Sequence, residues 1–345
     1  MGEGWEILPH HGGRKLFFHS IGVILVPTER VRCNGKERKM SVASRLSEVF
    51  ESSGEIPFDD SSKFIFFSDC HRGDNGWTDD FAPNQNIFFH ALNFYYDQGF
   101  TYIEIGDGDE LWENRSFETI REAHSHIFWK MSQFYGADRL HLLWGNHNRQ
   151  WRVSKQVKKY LYRFSEERER KPGMKRVFKP LFDGIKVHEG LILHHLPTNK
   201  KIFLTHGHQG DLLNDEWWWV GRFVVRNIWK VLQLVGAKDP TSPAKNFKKR
   251  IKLEKEIVEW VNGNLGKVGL LIVGHTHRPY LPTEKEPPYC NTGSCVHPRC
   301  ITGIEIENGE IRLIKWFIDV NPATGGTLFI NKEPLGKPRK LRDFV

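Results

Sequence analysis

Five short stretches set acids, amides and imidazoles beside glycine. They are "SDCHRGD" with Asp69 and His71, "GDGDE" with Asp107, "WGNHN" with Asn146 and His147, "THGHQGD" with His206 and His208, and "VGHTHRP" with His275 and His277. Each follows an apolar run ("FIFF", "YIEI", "LHLL", "KIFL", "LLIV") that reads as a buried strand. One histidine at a strand end is commonly a hydrogen-bonded structural residue. Five such endings in one chain point instead to convergence, because the carboxyl ends of strands in open α/β sheets meet at one crevice. Asp and Asn oxygens with neutral imidazole nitrogens suit Mn, Fe or Zn. With one carboxylate bridging, two such ions about 3.5–4 Å apart clamp an in-line phosphoryl displacement. Gly106, Gly145, Gly207 and Gly274 beside these groups let the backbone turn sharply and let a substrate approach.

The elements that must position these groups follow a clear rhythm from residue 63. "KFIFFSD" is a strand, and the next segment places Ile87, Phe88, Ala91, Leu92, Phe94 and Tyr95 on one helical face. "TYIEIGD", a helix over about 117–135 and "RLHLLWGN" follow. This alternation predicts a right-handed α/β layer with parallel strands. Strands near 184–188, 190–194, 201–205 and 300–306, with "VGLLIVGH" and "EIRLIKWFI", predict a second, more antiparallel sheet. Residues 1–62 form an N-terminal extension with one strand (about 21–26), a short helix (about 41–50) and a Ser/Gly/Asp-rich linker at Ser52–Ser62. Residues 63–320 form the main domain, with a helical insertion at about 212–264, and 321–345 are a tail.

The ordered set Asp69-Cys70-His71, Gly106-Asp107-Gly108-Asp109-Glu110, Gly145-Asn146-His147-Asn148, His206 and Gly274-His275-Thr276-His277 resembles the calcineurin-like metallophosphoesterase family. The match spans roughly residues 63–318. The resemblance implies a four-layer α/β/β/α sandwich of two mixed sheets, with the metal site at strand C-terminal ends. It implies one ion on Asp69, His71 and His277, another on Asn146, His206 and His275, and Asp107 bridging. His147 would contact the phosphate and assist the leaving group. His206 rather than His208 is the expected ligand, because the family places it before glycine. Asn148, His208 and Arg278 are expected to face substrate. Two departures stand out: Glu110 stands where the family has Asp, and the uncharged Asn148 stands where it has an acidic residue. Both would lie behind the ligands, orienting them.

The implied activity is hydrolysis of a phosphate ester or pyrophosphate by a metal-activated hydroxide. The "GHTHRP" block is similar to the bacterial branch of UDP-diacylglucosamine pyrophosphohydrolases, though that branch usually has Arg where His147 stands. A nuclease or phosphodiesterase with the same centre, and a non-catalytic scaffold, are the competing readings. The net charge of +8 fits phosphate-bearing partners. The basic stretch 152–180 favours nucleic acid only weakly, since Glu166, Glu167 and Glu169 interrupt it. The Trp-rich segment 212–236 is expected to be a buried or lid helix, or a lipid-facing one with Arg222, Arg226 and Lys230 towards headgroups.

Five scattered cysteines argue against a disulfide framework. Cys290, Cys295 and Cys300 with His297 have spacers unusual for zinc. A cytoplasmic location is expected, peripheral to membrane if 212–236 meets lipid. "LFFHSIGVILVP" (16–27) is short enough to be a core strand rather than an anchor or signal peptide.

Overall fold

A computed structural model describes residues 41–165, 178–211 and 247–345. The expected strand at 21–26, the segment 212–236 and part of the basic stretch 152–180 lie outside the described residues. In chain order the elements begin with α1 (Val42–Ser52), β1 (Gly54–Phe58), β2 (Phe64–Phe67), α2 (Gln85–Asp97) and β3 (Thr101–Ile105). There follow α3 (Phe117–Ala123), α4 (Ser125–Gly136), β4 (Leu140–Leu143), α5 (Ser154–Tyr160), β5 (Arg163–Ser165) and β6 (Phe178–Pro180). Then come β7 (Val187–His188), β8 (Gly190–His195), β9 (Lys200–Thr205), α6 (Phe247–Gly263), β10 (Leu270–Val273) and β11 (Tyr289–Asn291). The chain closes with β12 (Cys300–Glu307), β13 (Glu310–Asn321), β14 (Thr327–Pro334) and β15 (Arg339–Lys340).

Two mixed sheets result. The first has the order β14-β13-β12-β2-β3-β4-β7, with β15 on β13. Its β2, β3, β4 and β7 are parallel, while β12 adds on antiparallel to β2, and β13 and β14 follow in antiparallel succession. The second has the order β1-β8-β9-β10-β11, parallel except for the β8–β9 hairpin. Successive strand residues point to opposite faces. Phe64, Phe66, Ile103 and Ile105 therefore meet Leu193, Leu204, Leu270 and Ile272 between the sheets. Ile65, Phe67 and Tyr102 turn the other way, onto Phe88, Leu92 and Phe134 of α2 and α4. On the far side Phe203, Leu271 and Val273 pack on Leu46, Ile257 and Trp260 of α1 and α6. Three cores between four layers give the α/β/β/α sandwich. Strands buried on both faces read as unbroken apolar runs, which is why the sequence exposes them so plainly.

Four local expectations differ from what is found. The antiparallel strands of the second half extend the first sheet, because the β12–β13 hairpin lays β12 along β2. Ser52–Ser62 is not a linker: Gly54–Phe58 pairs in parallel with β8 and buries Phe58. Pro57 and the flanking Ser and Asp conceal this strand, and proline is tolerated there because β1 is an edge. Residues 42–58 and Thr327–Pro334, counted with an extension and a tail, thus belong to the sheets and helical layers, and Met40–Val345 form one compact unit. The helix expected over 117–135 breaks at His124, whose ring leaves the helical pattern to sit 2.8 Å from the buried carboxylate of Asp79.

Candidate metal centre

The parallel strands β2, β3 and β4 of one sheet and β9 and β10 of the other end at one edge, and each end carries candidate donors. Five of these donors have left-handed backbones: Asp69 (φ 51°), His71 (48°), Asp107 (50°), His275 (67°) and His277 (55°). Such conformations cost non-glycine residues about 1–3 kcal/mol each and persist where the surroundings over-determine them. Here the backbone beyond the strand ends is tied across the loops, with Asp69 N–H donating to Gly106 O at 3.1 Å and His71 N–H to Asp107 O at 2.9 Å. Gly106 is itself left-handed (φ 77°), and a Cβ there would stand 2.6 Å from the His206 ring.

Each aspartate has one oxygen committed to orientation and one turned to the centre. Asp69 Oδ2 accepts from the Ser68 hydroxyl and from His275 N–H at 2.9 Å. Its Oδ1 lies 3.1 Å from His277 Nε2, 3.8 Å from His71 Nε2 and 3.9 Å from His206 Nε2. Asp107 Oδ1 accepts from His147 N–H at 2.8 Å, while Oδ2 lies 3.0 Å from His206 Nε2 and 3.9 Å from His71 Nε2. The rings are held from behind. His71 Nδ1 hydrogen-bonds Glu110 Oε2 at 2.8 Å, and His206 Nδ1 hydrogen-bonds Ile105 O at 2.9 Å. When Nδ1 carries the proton, Nε2 presents a lone pair. Asp69 Oδ1, His71 Nε2, His206 Nε2 and His275 Nε2 are buried without a hydrogen bond. Buried polar atoms are seldom left so, and lone pairs aimed at one another without bonding are what a cation would satisfy. The donors fall into three overlapping groups, Asp69 with His71 and His277, His71 with Glu110 and His147, and Asp107 with His206 and His275. Asn146 is buried at the end of β4. The residues present fit a metal centre.

The electrostatics agree. Burial would raise the Asp69 carboxyl, but the His277 and His206 imidazoles hold it well below its usual range. Asp107 is likewise lowered, against burial, by His206 and His147. Burial opposes a charge on His206, yet Asp107 and Asp69 push it up to about 9. His71 is raised well above its ordinary value against burial, by Asp69 and Glu110. His275 is lowered, chiefly by burial.

His147 lies beside this centre. Its Nδ1 is 2.7 Å from Glu110 Oε2, and its ring stacks on Trp112 with centroids 4.4 Å apart and planes at 21°. Glu110 thereby serves two rings at once, and burial notwithstanding, they depress its carboxyl. The three residues expected to face substrate have different surroundings. Asn148 is buried and its Oδ1 accepts from Gly145 N–H at 2.6 Å, fixing the turn after β4 instead of facing outward. His208 is buried, its ring 5.4 Å from His206 and 5.3 Å from Trp144, and belongs to none of the three donor groups. Arg278 is half-exposed and leans to Glu254 at 3.6 Å.

Sequence reasoning passed over several supporting residues. Fully buried Arg72 bonds Glu104 (2.7 and 2.9 Å) and Asp109 (3.0 Å), clamping the loops after β2 and β3 together. Asp211 Oδ2 lies 3.9 Å from His275 Nε2 and 3.0 Å from Lys249. Arg72 and Asp109 sit inside the "CHRGD" and "GDGDE" blocks, and their opposite charges next to ligands were the available signal. Asp211 closes the "THGHQGD" block, which was its only signal, and nothing local marks Trp112.

No family model matches the chain, and no curated protein matches it. Among the described residues no helix is long and apolar enough to cross a membrane. Among solved structures the chain is similar to vacuolar protein sorting 29 from Cryptosporidium parvum, at 11% identity over 80% of this chain and 98% of that one, with a TM-score of 0.34. It is also similar to a novel archaeal phosphodiesterase (14% identity, 79% and 99% covered, TM-score 0.34). A third likeness is to Vps29 from Chaetomium thermophilum (10%, 81% and 99%, TM-score 0.31). Likenesses this distant leave the fold to be read from the chain's own strand order.

Proposed function

We propose that this chain is a metal-dependent phosphoesterase. One ion would be held by Asp69, His71 and His277, the other by Asn146, His206 and His275, with Asp107 between them. The observation that carries the reading is the set of buried, inward-turned atoms lacking hydrogen bonds: Asp69 Oδ1 and the Nε2 atoms of His71, His206 and His275. Mn, Fe or Zn suits this mixture of oxygen and imidazole. Bound ions of this kind supply Lewis acidity to phosphoryl oxygens and lower the pKa of coordinated water.

The rest of the chemistry belongs to the chain. Asp107 Oδ1, fixed by His147 N–H, holds that carboxylate and the turn after β4 in one register. Glu110 Oε2 lies 2.7 Å from His147 Nδ1, so Nε2 would be the end left to meet substrate. Stacking on Trp112 fixes the plane of that ring. His147 would then hydrogen-bond a phosphoryl oxygen and pass a proton to the departing one. Cys70 is no rival nucleophile: burial and contact with Cys295 push its thiol well up. The substrate would be a phosphate ester or a pyrophosphate, with monoester, diester and lipid-linked nucleotide pyrophosphate as the bond types to separate.

Hydrolysis of one probe of each type, with Mn added and His147→Ala as control, tests this. One probe cleaved, and cleavage lost in the variant with ion content unchanged, is the expected result. A Mn-loaded chain that cleaves none would sink the reading and leave a non-catalytic scaffold.

A further inference from the structure

Strands β13 and β14 run on past the sheet that holds them. Phe317 pairs with Cys300, the first residue of β12, so Ile318–Asn321 lie beyond the end of β12 with β14 alongside. Because β12 is antiparallel to β2 and β13 is antiparallel to β12, β13 points the way β2 does, towards the end that carries Asp69 and His71. The overhang therefore leaves the molecule at the edge of the metal centre. Four residues project it about 13 Å at roughly 3.3 Å each.

This arm is apolar where it should be wet. Val320 opposes Leu328 and Ile318 opposes Ile330, so four aliphatic side chains share one face. Leu328 is 66% exposed, Val320 51%, Ile318 44%, and Phe329 on the opposite face 42%. Asp319, opposite Phe329, is the one charged residue of the overhang, and from Val320 to Asn331 none is charged, although soluble proteins usually guard an edge strand with charge. Trp77, on the loop following His71, is 92% exposed. Arg115, Arg278 and Arg299, on the loops of the same edge, are exposed as well.

We infer that this edge docks on a lipid bilayer carrying anionic headgroups, with the β13–β14 tip and Trp77 at the headgroup–acyl boundary and the arginines against the headgroups. An apolar projection, an exposed indole and peripheral cations are the elements of such a surface. The arginines favour lipid over a second copy of this chain, since a two-fold contact there would bring like charges together. The inference stands apart from the catalytic reading, because its measurement needs no turnover.

The full chain is sedimented with vesicles of phosphatidylcholine alone and of phosphatidylcholine with phosphatidylglycerol, three to one. Binding to the anionic vesicles and at least tenfold weaker binding of Leu328→Asp/Phe329→Asp are expected. Leu328→Asn, a mild change at an exposed position, should give a smaller loss with the fold intact by circular dichroism, and it serves if the double variant fails to fold. No binding of the wild-type chain, or equal binding by a folded variant, overturns the inference. So does light scattering that finds a dimer of the native chain and a monomer of the variant, which would make the arm a contact between copies.

Discussion

Glu110→Gln isolates the residue that orients two rings with one carboxylate. Oε2 lies 2.8 Å from His71 Nδ1 and 2.7 Å from His147 Nδ1, while Oε1 accepts from the N–H groups of Trp112 at 3.1 Å and Glu113 at 3.3 Å. A carboxylate accepts on both oxygens, but an amide has one acceptor and one donor end. If the glutamine oxygen faces the rings, its NH2 meets two backbone donors. If the NH2 faces the rings, His71 can bond it only by moving its proton to Nε2, the atom turned towards the centre. A charge-assisted hydrogen bond contributes about 1.5–3 kcal/mol, which at about 1.4 kcal/mol per decade is a ten- to hundredfold loss of ion affinity. The loss should fall on the Asp69, His71 and His277 group alone, because His206 is oriented by Ile105 O. Calorimetric titration of the ion-free chain with Mn should therefore show two binding phases in wild type. In the variant one weakens ten- to hundredfold and the other moves less than twofold. Unchanged phases, or equal weakening of both, would refute this reasoning.

Further outcomes follow from the same geometry. The His206 shift from 6.5 to about 9 stabilises the ion-free chain by about 3 kcal/mol. The folded pKa is the higher one, so this contribution is complete below about pH 6.5 and disappears as pH rises towards 9. Melting of the chelator-treated chain should fall across that window, more steeply than that of His206→Ala. Gly106→Ala places a Cβ 2.6 Å from the His206 ring at φ 77°, so it should lower stability by about 1–3 kcal/mol in urea melts and weaken Mn binding by the Asp107, His206 and His275 group. Asp79→Ala deprives buried His124 and the N–H groups of Asn75 and Phe81 of their acceptor, and should cost about 3 kcal/mol. His124 and these hydrogen bonds hold the Asp79 carboxyl low against burial, so its contribution is present above about pH 4 and fades as pH falls further; acid unfolding of wild type and variant should converge there.

The central strands and the donor groups at their ends were legible because both depend on local pattern. Phe64–Phe67 and Leu270–Val273 are buried on both faces, and a donor following such a run is conspicuous. What escaped was set by partners distant in sequence. Gly54–Phe58 is a strand because β8 offers a free edge, not because its own residues alternate. Asn148 stands where an exposed polar residue would suit substrate, yet the Gly145 N–H three residues back draws it inward. His206 and His208 share one motif, and only their positions about Asp107 separate them. Arg72, which no local pattern assigned a role, is the buried tie between two ligand loops.

The most direct test is anomalous diffraction at the manganese edge from crystals of the full chain soaked in Mn. Two peaks are predicted, one enclosed by Asp69, His71 and His277, the other by Asn146, His206 and His275, with the Asp107 carboxylate between them. A single peak, or ions bound away from these side chains, would contradict the two-ion centre on which the proposed hydrolysis depends.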